Sequence, residues 1–186
     1  MFDIKTIFIF ILVVLSLPIG SKTLISESLF FQIDHPESLQ YAYEFLPSYQ
    51  IGVRFPSRTS EMYMILADPI EACEPLKNDL DVADNVVLVE RGTCSFVDKA
   101  LNVERAGGKI IMITDSKNGT EGFIDMIKDE TGTTSHIPAG YLPGNNGRRM
   151  REYLNYEGDY IKIRIPFNYT TKRFRENLNK PPWELW

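Results

Sequence analysis

The chain has 186 residues, 44% of them apolar, and a formal net charge of -5. Its two cysteines, Cys73 and Cys94, lie far apart along the chain and have no close histidine, which excludes a four-cysteine or Cys₂His₂ zinc site. The mildly acidic balance argues against a nucleic-acid partner, because binding a phosphate backbone needs a concentrated basic face. The length and composition indicate one globular domain.

Residues 1–21 differ from the rest of the chain. Lys5 precedes an apolar run from Ile7 to Leu15, which is followed by Pro18, Gly20 and Ser21. This order of charge, short apolar core and small-residue exit is typical of a secretory signal peptide. The run is about half of the roughly 20 residues that a membrane span needs, so we expect cleavage near Gly20 or Ser21 rather than an uncleaved signal anchor. No later segment reaches that length, so no membrane span is expected after cleavage. The chain is expected to be secreted through the endoplasmic reticulum and Golgi lumen.

Seven segments are predicted as strands, because they are rich in β-branched or aromatic residues and are bounded by turn formers. In chain order they are Leu29 to Ile33, Tyr41 to Phe45, Met62 to Ala67, Val86 to Glu90, Ile110 to Thr114, Ala139 to Leu142 and Tyr160 to Phe167. The fourth and fifth lack polar alternation, which favours two parallel strands buried on both faces. The last alternates isoleucines with Lys162 and Arg164, which predicts one face in the core and one in water.

Two helices are predicted. The first runs from Ser95 to Ala106, with Ser95 as its N-cap and Gly107-Gly108 as its stop. It lies between the two buried strands, so the three elements form a βαβ unit in a mixed sheet. The second runs from about Arg148 to Tyr156 and follows a turn formed by residues 144–147. The pattern as a whole predicts a β-rich α/β fold.

The oxidising lumen gives the two cysteines a structural interpretation. An even number of cysteines tends to pair there, and Cys73 with Cys94 is the one possible intrachain bridge. Closing that loop stabilises the fold by roughly 3 kcal/mol on the chain-entropy model. The alternative, Cys94 as a catalytic thiolate, needs a histidine partner that the sequence does not place.

Two acceptors for N-glycosylation become available in the same compartment. Asn118 begins Asn-Gly-Thr in a polar stretch, and Asn168 begins Asn-Tyr-Thr after the last predicted strand. We expect both to carry a glycan. The alternative is the chance occurrence of a permissive tripeptide.

An ordered set of motifs resembles the protease-associated domain family. The set consists of Ala72-Cys73, Val87 to Phe96 with Arg91-Gly92-Thr93-Cys94 inside it, Lys99, Ala106-Gly107-Gly108, Ile110 to Ile113 and Ile137-Pro138-Ala139. The resemblance covers roughly residues 60 to 165. It implies a mixed sheet or open barrel-like sandwich flanked by two helices. It also implies a protein-interaction or substrate-access module without catalytic residues of its own.

The resemblance and the signal peptide divide the chain into four expected parts. Residues 1–21 are the signal peptide, 22–59 the N-terminal strands of the domain, 60–167 its core, and 168–186 a C-terminal tail.

Motifs that carry chemistry are scarce. The sequence has no nucleophile elbow, no His-Glu-x-x-His pair and no phosphate loop, and His35 and His136 are interpreted as surface or turn residues. Asp79, Asp81 and Glu90 match three positions of a calcium-binding loop. Asp84 stands where that loop requires glycine, so a solvated acidic loop is favoured. We therefore expect no metal, no cofactor and no enzymatic activity.

Two surface features leave alternatives open. The tail ends in Pro181-Pro182-Trp183-Glu184-Leu185-Trp186, and its tryptophans either dock on the domain, which we favour, or engage a partner. Arg148, Arg149 and Arg151 are either a basic contact patch or plain solvated surface, and we favour the second.

Three functions compete. The favoured one is a secreted or luminal, non-catalytic interaction module whose protein partner is unknown. The second is a cargo receptor that binds peptides or glycans, which draws on the family's presence in sorting receptors. The third, an undetected hydrolase, rests only on the acidic residues and the two histidines.

Overall fold

Seven strands close into a barrel in the part of the chain that the computed structural model describes, residues 28–167 and 179–184. The strands are β1 (Leu29–His35), β2 (Ala42–Pro47), β3 (Ser60–Leu66), β4 (Val86–Glu90), β5 (Ile110–Thr114), β6 (Ala139–Leu142) and β7 (Ile161–Phe167). Their order around the barrel is β1-β2-β6-β5-β4-β3-β7. The run from β3 through β4 and β5 to β6 is parallel, and the other pairings are antiparallel. The predicted fold class is confirmed, and the barrel-like sheet is closed.

Three helices accompany the described strands: α1 (Asp79–Val82), α2 (Phe96–Arg105) and α3 (Gly144–Tyr156). A single 3-10 turn covers Glu37–Leu39. The start of α2 is as predicted, since the Ser95 hydroxyl accepts a hydrogen bond of 3.0 Å from the backbone N–H of Asp98. Helix α1 was not predicted. It forms inside the acidic loop because Val82 is buried while the carboxylates of Asp79 and Asp81 point to solvent.

The start of α3 corrects the sequence prediction. Residues 144–147, predicted as a turn, are its first helical turn, and Pro143 is the N-cap. The glycines serve packing here, because a β-carbon at Gly147 would overlap the hydroxyl of Thr114 at the end of β5. Two glycines that flank two asparagines are typical of a turn. Here the glycines are required instead because the helix and the strand approach each other closely.

Alternation along the strands divides the core into two parts. One set of side chains lines the barrel interior and includes Phe31, Ile33, Tyr43, Phe45, Met64, Leu88, Met112, Ile161, Ile163 and Ile165. The other set lies on the outer face of β4, β5 and β6, where α2 covers it with Val97, Ala100 and Val103. Strands β4 and β5 are therefore buried on both faces and pair in parallel, as predicted.

On β7, the isoleucines face the interior and the charged residues face outward in ion pairs. Lys162 lies 3.2 Å from Glu61, and Arg164 lies 2.8 Å from Asp34. Within residues 28–167 and 179–184, no helix has the length and apolar character needed to cross a membrane. The boundaries of the four expected parts of the chain stay predictions.

Candidate functional site

The carboxyl ends of the parallel strands β4, β5 and β6 meet at one edge of the barrel. Arg91 follows β4, Asp115 follows β5, and Pro143 leads from β6 into α3. In sheets of this kind, the loops beyond the carboxyl ends are where ligands and partners are bound. We call this region the carboxyl edge.

A disulfide joins Cys73 to Cys94, with an S–S distance of 2.08 Å, and the predicted pairing is confirmed. It ties the segment between β3 and α1 to the loop that leads from β4 into α2. The Cα atoms lie 5.7 Å apart, inside the normal range for a bridge. Because it fixes both loop ends, the bridge holds the segment Arg91-Gly92-Thr93-Cys94 against the barrel.

This four-residue segment, which we call the Arg91 loop, has an unusual backbone. Gly92 has a φ of +127° and Thr93 a φ of +66°. A β-branched residue is rarely found in the left-handed region, and such conformations persist only where the surroundings fix them. The Thr93 hydroxyl donates a hydrogen bond of 3.0 Å to the Glu71 carboxylate, which supplies part of that support. The loop is exposed and conformationally fixed.

A fully buried lysine holds the neighbouring segment to which the loop is bridged. Lys99 of α2 donates a hydrogen bond of 2.5 Å from Nζ to the carbonyl of Glu71, and the same Nζ lies 3.4 Å from Sγ of Cys73. Burial lowers the pKa of Lys99 to about 8, although the charges of Glu71 and Glu90 oppose the shift. A lysine with a pKa near neutrality is a candidate nucleophile. Here its side chain has no exposed surface, so we assign it a structural role.

Arg91 places an exposed charge at the carboxyl edge. Its Nη1 lies 3.3 Å from Oδ2 of Asp115, and the side chain of Arg91 is 42% exposed while that of Asp115 is 6% exposed. Burial alone would raise the pKa of Asp115. The hydrogen bonds from Thr120 and Ser116, together with Arg91, outweigh burial and hold that pKa below its ordinary value. Asp115 is therefore a fixed anion that orients the arginine.

Polar groups continue around the edge beneath Arg91. Arg151 of α3 and Glu90 at the end of β4 form an ion pair in which both side chains are largely buried. Burial, reinforced by the charge of Asp115, raises the pKa of Tyr141 to about 12, so this phenol is neutral at physiological pH. The carboxyl edge thus combines a polar interior with the exposed guanidinium of Arg91.

The remaining residues singled out in the sequence lie apart from one another. His136 is exposed and its Nδ1 lies 2.9 Å from Glu104, whereas His35 packs beside Tyr160, with ring centroids 6.2 Å apart. Asn118 is exposed in the loop after β5, and Asn168 lies outside the described residues.

The acidic residues considered for calcium do not converge. Asp79 and Asp81 lie on α1, Asp84 pairs with Lys109 at 3.0 Å, and Glu90 is bound to Arg151. Among the described residues, no group of three His, Cys, Asp or Glu side chains is placed to hold a metal ion.

The three arginines of α3 do not form one patch, and only one of them is exposed. Arg148 pairs with Glu121, Arg151 is buried, and Arg149 lies over the ring of Trp183. Trp183 is docked on the domain, as favoured from the sequence, and Trp186 lies outside the described residues.

Sequence reasoning missed the pairing of Arg91 with Asp115. The sequence did contain a signal for this pairing. Arg91 and Asp115 each directly follow a strand, and these two strands are predicted to be buried and parallel to each other. The carboxyl ends of such strands meet at one edge, so charges placed there are brought together. The burial of Lys99 had no comparable signal, since lysine is rarely fully buried.

Comparison with known sequences places this fold in a family. The PA domain model matches residues 61–150. A "PRADC1-like protein" of Drosophila melanogaster is 35% identical over 176 residues, which cover 92% of this chain and 89% of that protein. "Signal peptide peptidase-like 2" of Arabidopsis thaliana is 34% identical over 113 residues, which cover 56% of this chain but 20% of that protein.

Solved structures give the same fold at low identity. An aminopeptidase from Aneurinibacillus sp. strain AM-1 superposes with a TM-score of 0.53 at 15% identity, and a zinc aminopeptidase from Bacillus subtilis with 0.51 at 15%. This chain covers 30% of the first structure and 29% of the second, so these likenesses concern the fold alone. With the family model, the Drosophila relative and the closed mixed barrel in agreement, the chain belongs to the PA domain family.

Proposed function

We propose that the chain is a secreted or luminal protein-interaction module that binds its partner through the carboxyl edge and performs no catalysis. The observation that carries the proposal is the Arg91 loop. Its exposed guanidinium is oriented by Asp115, and its backbone is joined by the Cys73–Cys94 disulfide to the segment whose Glu71 carbonyl Lys99 binds. A rigid loop loses little conformational entropy on binding, and arginine is over-represented among the residues that dominate interface energetics.

The groups available for chemistry support a non-catalytic role. His136 pairs with Glu104, His35 packs beside Tyr160, and the side chain of Lys99 is fully buried. A nucleophile and its base have to lie within hydrogen-bond reach of each other, and these groups do not. Turnover of a peptide or glycan panel that a single His or Lys replacement abolishes would contradict this part of the proposal.

Replacing Arg91 by alanine is expected to abolish most partner capture. Loss of an anchoring arginine costs about 1–2 kcal/mol or more, which corresponds to roughly a tenfold weaker Kd. The measurement is proximity labelling in the secretory pathway with the chain fused to a labelling enzyme, comparing wild type with R91A. Proteins labelled by wild type and lost with R91A are the candidate partners.

The matched control is R105A. Arg105 is also exposed and ends α2, the helix that begins beside the Arg91 loop, so it lies about 15 Å along that helix from the loop. R105A removes the same charge and should retain the labelled proteins. Equal labelling by R91A and R105A would contradict a contact through the carboxyl edge, provided that both variants keep the Tm of wild type.

Localisation and glycosylation are tested together. We expect wild type to appear in the medium with a mass that a glycosidase lowers, and the N118Q and N168Q variants each to lose one step of that mass. The exposed position of Asn118 in the loop after β5 is compatible with modification. A chain without residues 1–21 should stay inside the cell and carry no glycan. Secretion of unglycosylated wild-type chain would contradict both acceptors.

A further inference from the structure

The end of the described chain lies against the start of α3. Pro181 is buried, and Trp183 and Glu184 are half-buried. The segment is tied to the barrel upstream, where the backbone N–H of Ala42 donates a hydrogen bond of 2.8 Å to the carbonyl of Asn179. This placement shows which side chains of the domain contact a tryptophan followed by an acidic residue.

Three side chains form the contact surface, which we call the Asn146 site: Tyr41, Asn146 and Arg149. The Arg149 guanidinium lies 4.1 Å from the centroid of the Trp183 ring. The Tyr41 ring meets the indole edge to face, with centroids 5.4 Å apart and planes at 83°. A cation over the ring and an aromatic edge contact both stabilise an aromatic side chain, so the site favours a large aromatic residue.

The amide of Asn146 contacts both residues of the segment at once. Its Oδ1 accepts a hydrogen bond of 2.9 Å from the indole N–H of Trp183, and its Nδ2 donates one of 2.5 Å to the Glu184 carboxylate. Asn146 is only 2% exposed, so its two ends are fixed. One end needs a donor and the other an acceptor, which matches the indole and carboxylate of a Trp-Glu pair.

The electrostatics of α3 favour the acidic residue. Asn146 lies in the first turn of this 13-residue helix, which has no side-chain N-cap and no acidic residue in that turn. The amino end of a helix carries partial positive charge, and a carboxylate beside it is stabilised. Glu184 of the tail supplies the negative charge that the helix itself lacks.

We propose that the Asn146 site recognises a partner segment in which tryptophan is followed by an acidic residue, and that Trp183 and Glu184 occupy the site until such a segment displaces them. The occupant is inferred from the segment seated there. Trp183 is half-buried and is held by side-chain contacts at its ring edge and face, so an external segment can make the same contacts. This deepens the proposed interaction function and rests on it.

The test uses the full chain and a fluorescein-labelled peptide with the sequence of residues 179–185. A segment in cis competes at an effective concentration of about 1 mM, so vacating the site should raise affinity for an added peptide strongly. By fluorescence anisotropy, we expect the peptide to bind W183A at least about tenfold more tightly than wild type. Equal binding of the peptide to wild type and W183A would overturn the proposal.

A second variant guards against a folding defect in W183A. E184Q keeps the packing of Trp183 and removes only the carboxylate, so it should give a smaller gain in peptide affinity with an unchanged Tm. The control Y156A removes an exposed aromatic side chain from the other end of α3, about 15 Å from Asn146, and should bind the peptide as wild type does. No gain in either W183A or E184Q would overturn the proposal.

Recognition is tested on both sides of the contact. N146D added to W183A places a carboxylate against that of the peptide and should abolish binding, as should a peptide with alanine in place of its tryptophan. Binding that survives both changes would overturn the assignment.

Sedimentation across a concentration range tests the other occupant, a second copy of the chain. A wild-type dimer that W183A abolishes would show that the tail docks on a second copy, and would also overturn the proposal. Neither result depends on Arg91, so failure here stays distinguishable from failure of the proposed function.

Discussion

The double replacement C73A/C94A is expected to lower the free energy of unfolding by about 3 kcal/mol. The bridge closes a loop with a sequence separation of 21, and removing it restores the entropy of that loop to the unfolded chain. For a domain of this size, the loss corresponds to a fall in Tm of roughly 6–12 °C. Urea unfolding of both chains measures it, because the midpoint and slope give the free energy directly.

Reduction of wild type provides the matching control. Wild type in excess thiol should unfold at the same urea concentration as C73A/C94A, and thiol should leave the double variant unchanged. A loss below 1 kcal/mol in the double variant would mean that Lys99 and Asn102, which bind the carbonyls of Glu71 and Ala72, hold the loop without the bridge.

Lys99 should make the domain more stable as the pH rises. Burial places its pKa at about 8 in the folded state against an ordinary value of 10.5. Below pH 8 both states bind the proton and the cost of burying the charge is present in full. Between pH 8 and 10.5 the unfolded state binds more protons than the folded one, so stability rises. The total gain over that window is about 3 kcal/mol.

The comparison chain is K99M, which has a side chain of similar length that does not titrate. The difference in unfolding free energy between wild type and K99M should grow in favour of wild type by about 1.4 kcal/mol per pH unit from pH 8 upward. Contributions from tyrosines with raised pKa values, such as Tyr141, are common to both chains and cancel. Parallel curves for the two proteins would show that Lys99 keeps an ordinary pKa.

Local patterns predicted the parts of the fold that depend on neighbouring residues. The N-cap at Ser95 and the buried, parallel pair β4 and β5 follow from spacing and from the absence of polar alternation. The start of α3 did not, because Gly147 is required by contact with Thr114, which is distant in sequence. Closure of the barrel also depends on pairing between the first and last strands, which no local pattern encodes.

In the candidate site, too, features that depend on residues near in sequence were predicted, and contacts between distant residues were not. The disulfide was predictable because only two cysteines exist, and the Arg91-Gly92-Thr93-Cys94 motif identified the right loop. The sequence did not reveal the environments of three side chains: a lysine buried against the Glu71 carbonyl, an aspartate held by backbone N–H groups, and an asparagine whose two ends contact an indole and a carboxylate.

The position of β1 between β2 and β7 determines when folding can finish during synthesis. Its partner β7 ends at Phe167, more than a hundred residues after His35 ends β1. At about 5–20 residues per second, β1 waits roughly 7–25 s for that partner with one edge unpaired. An unpaired strand edge invites association with other chains. A growing chain therefore depends on protection of that edge until its last strand is made, and any truncation before β7 leaves β1 and β3 permanently open.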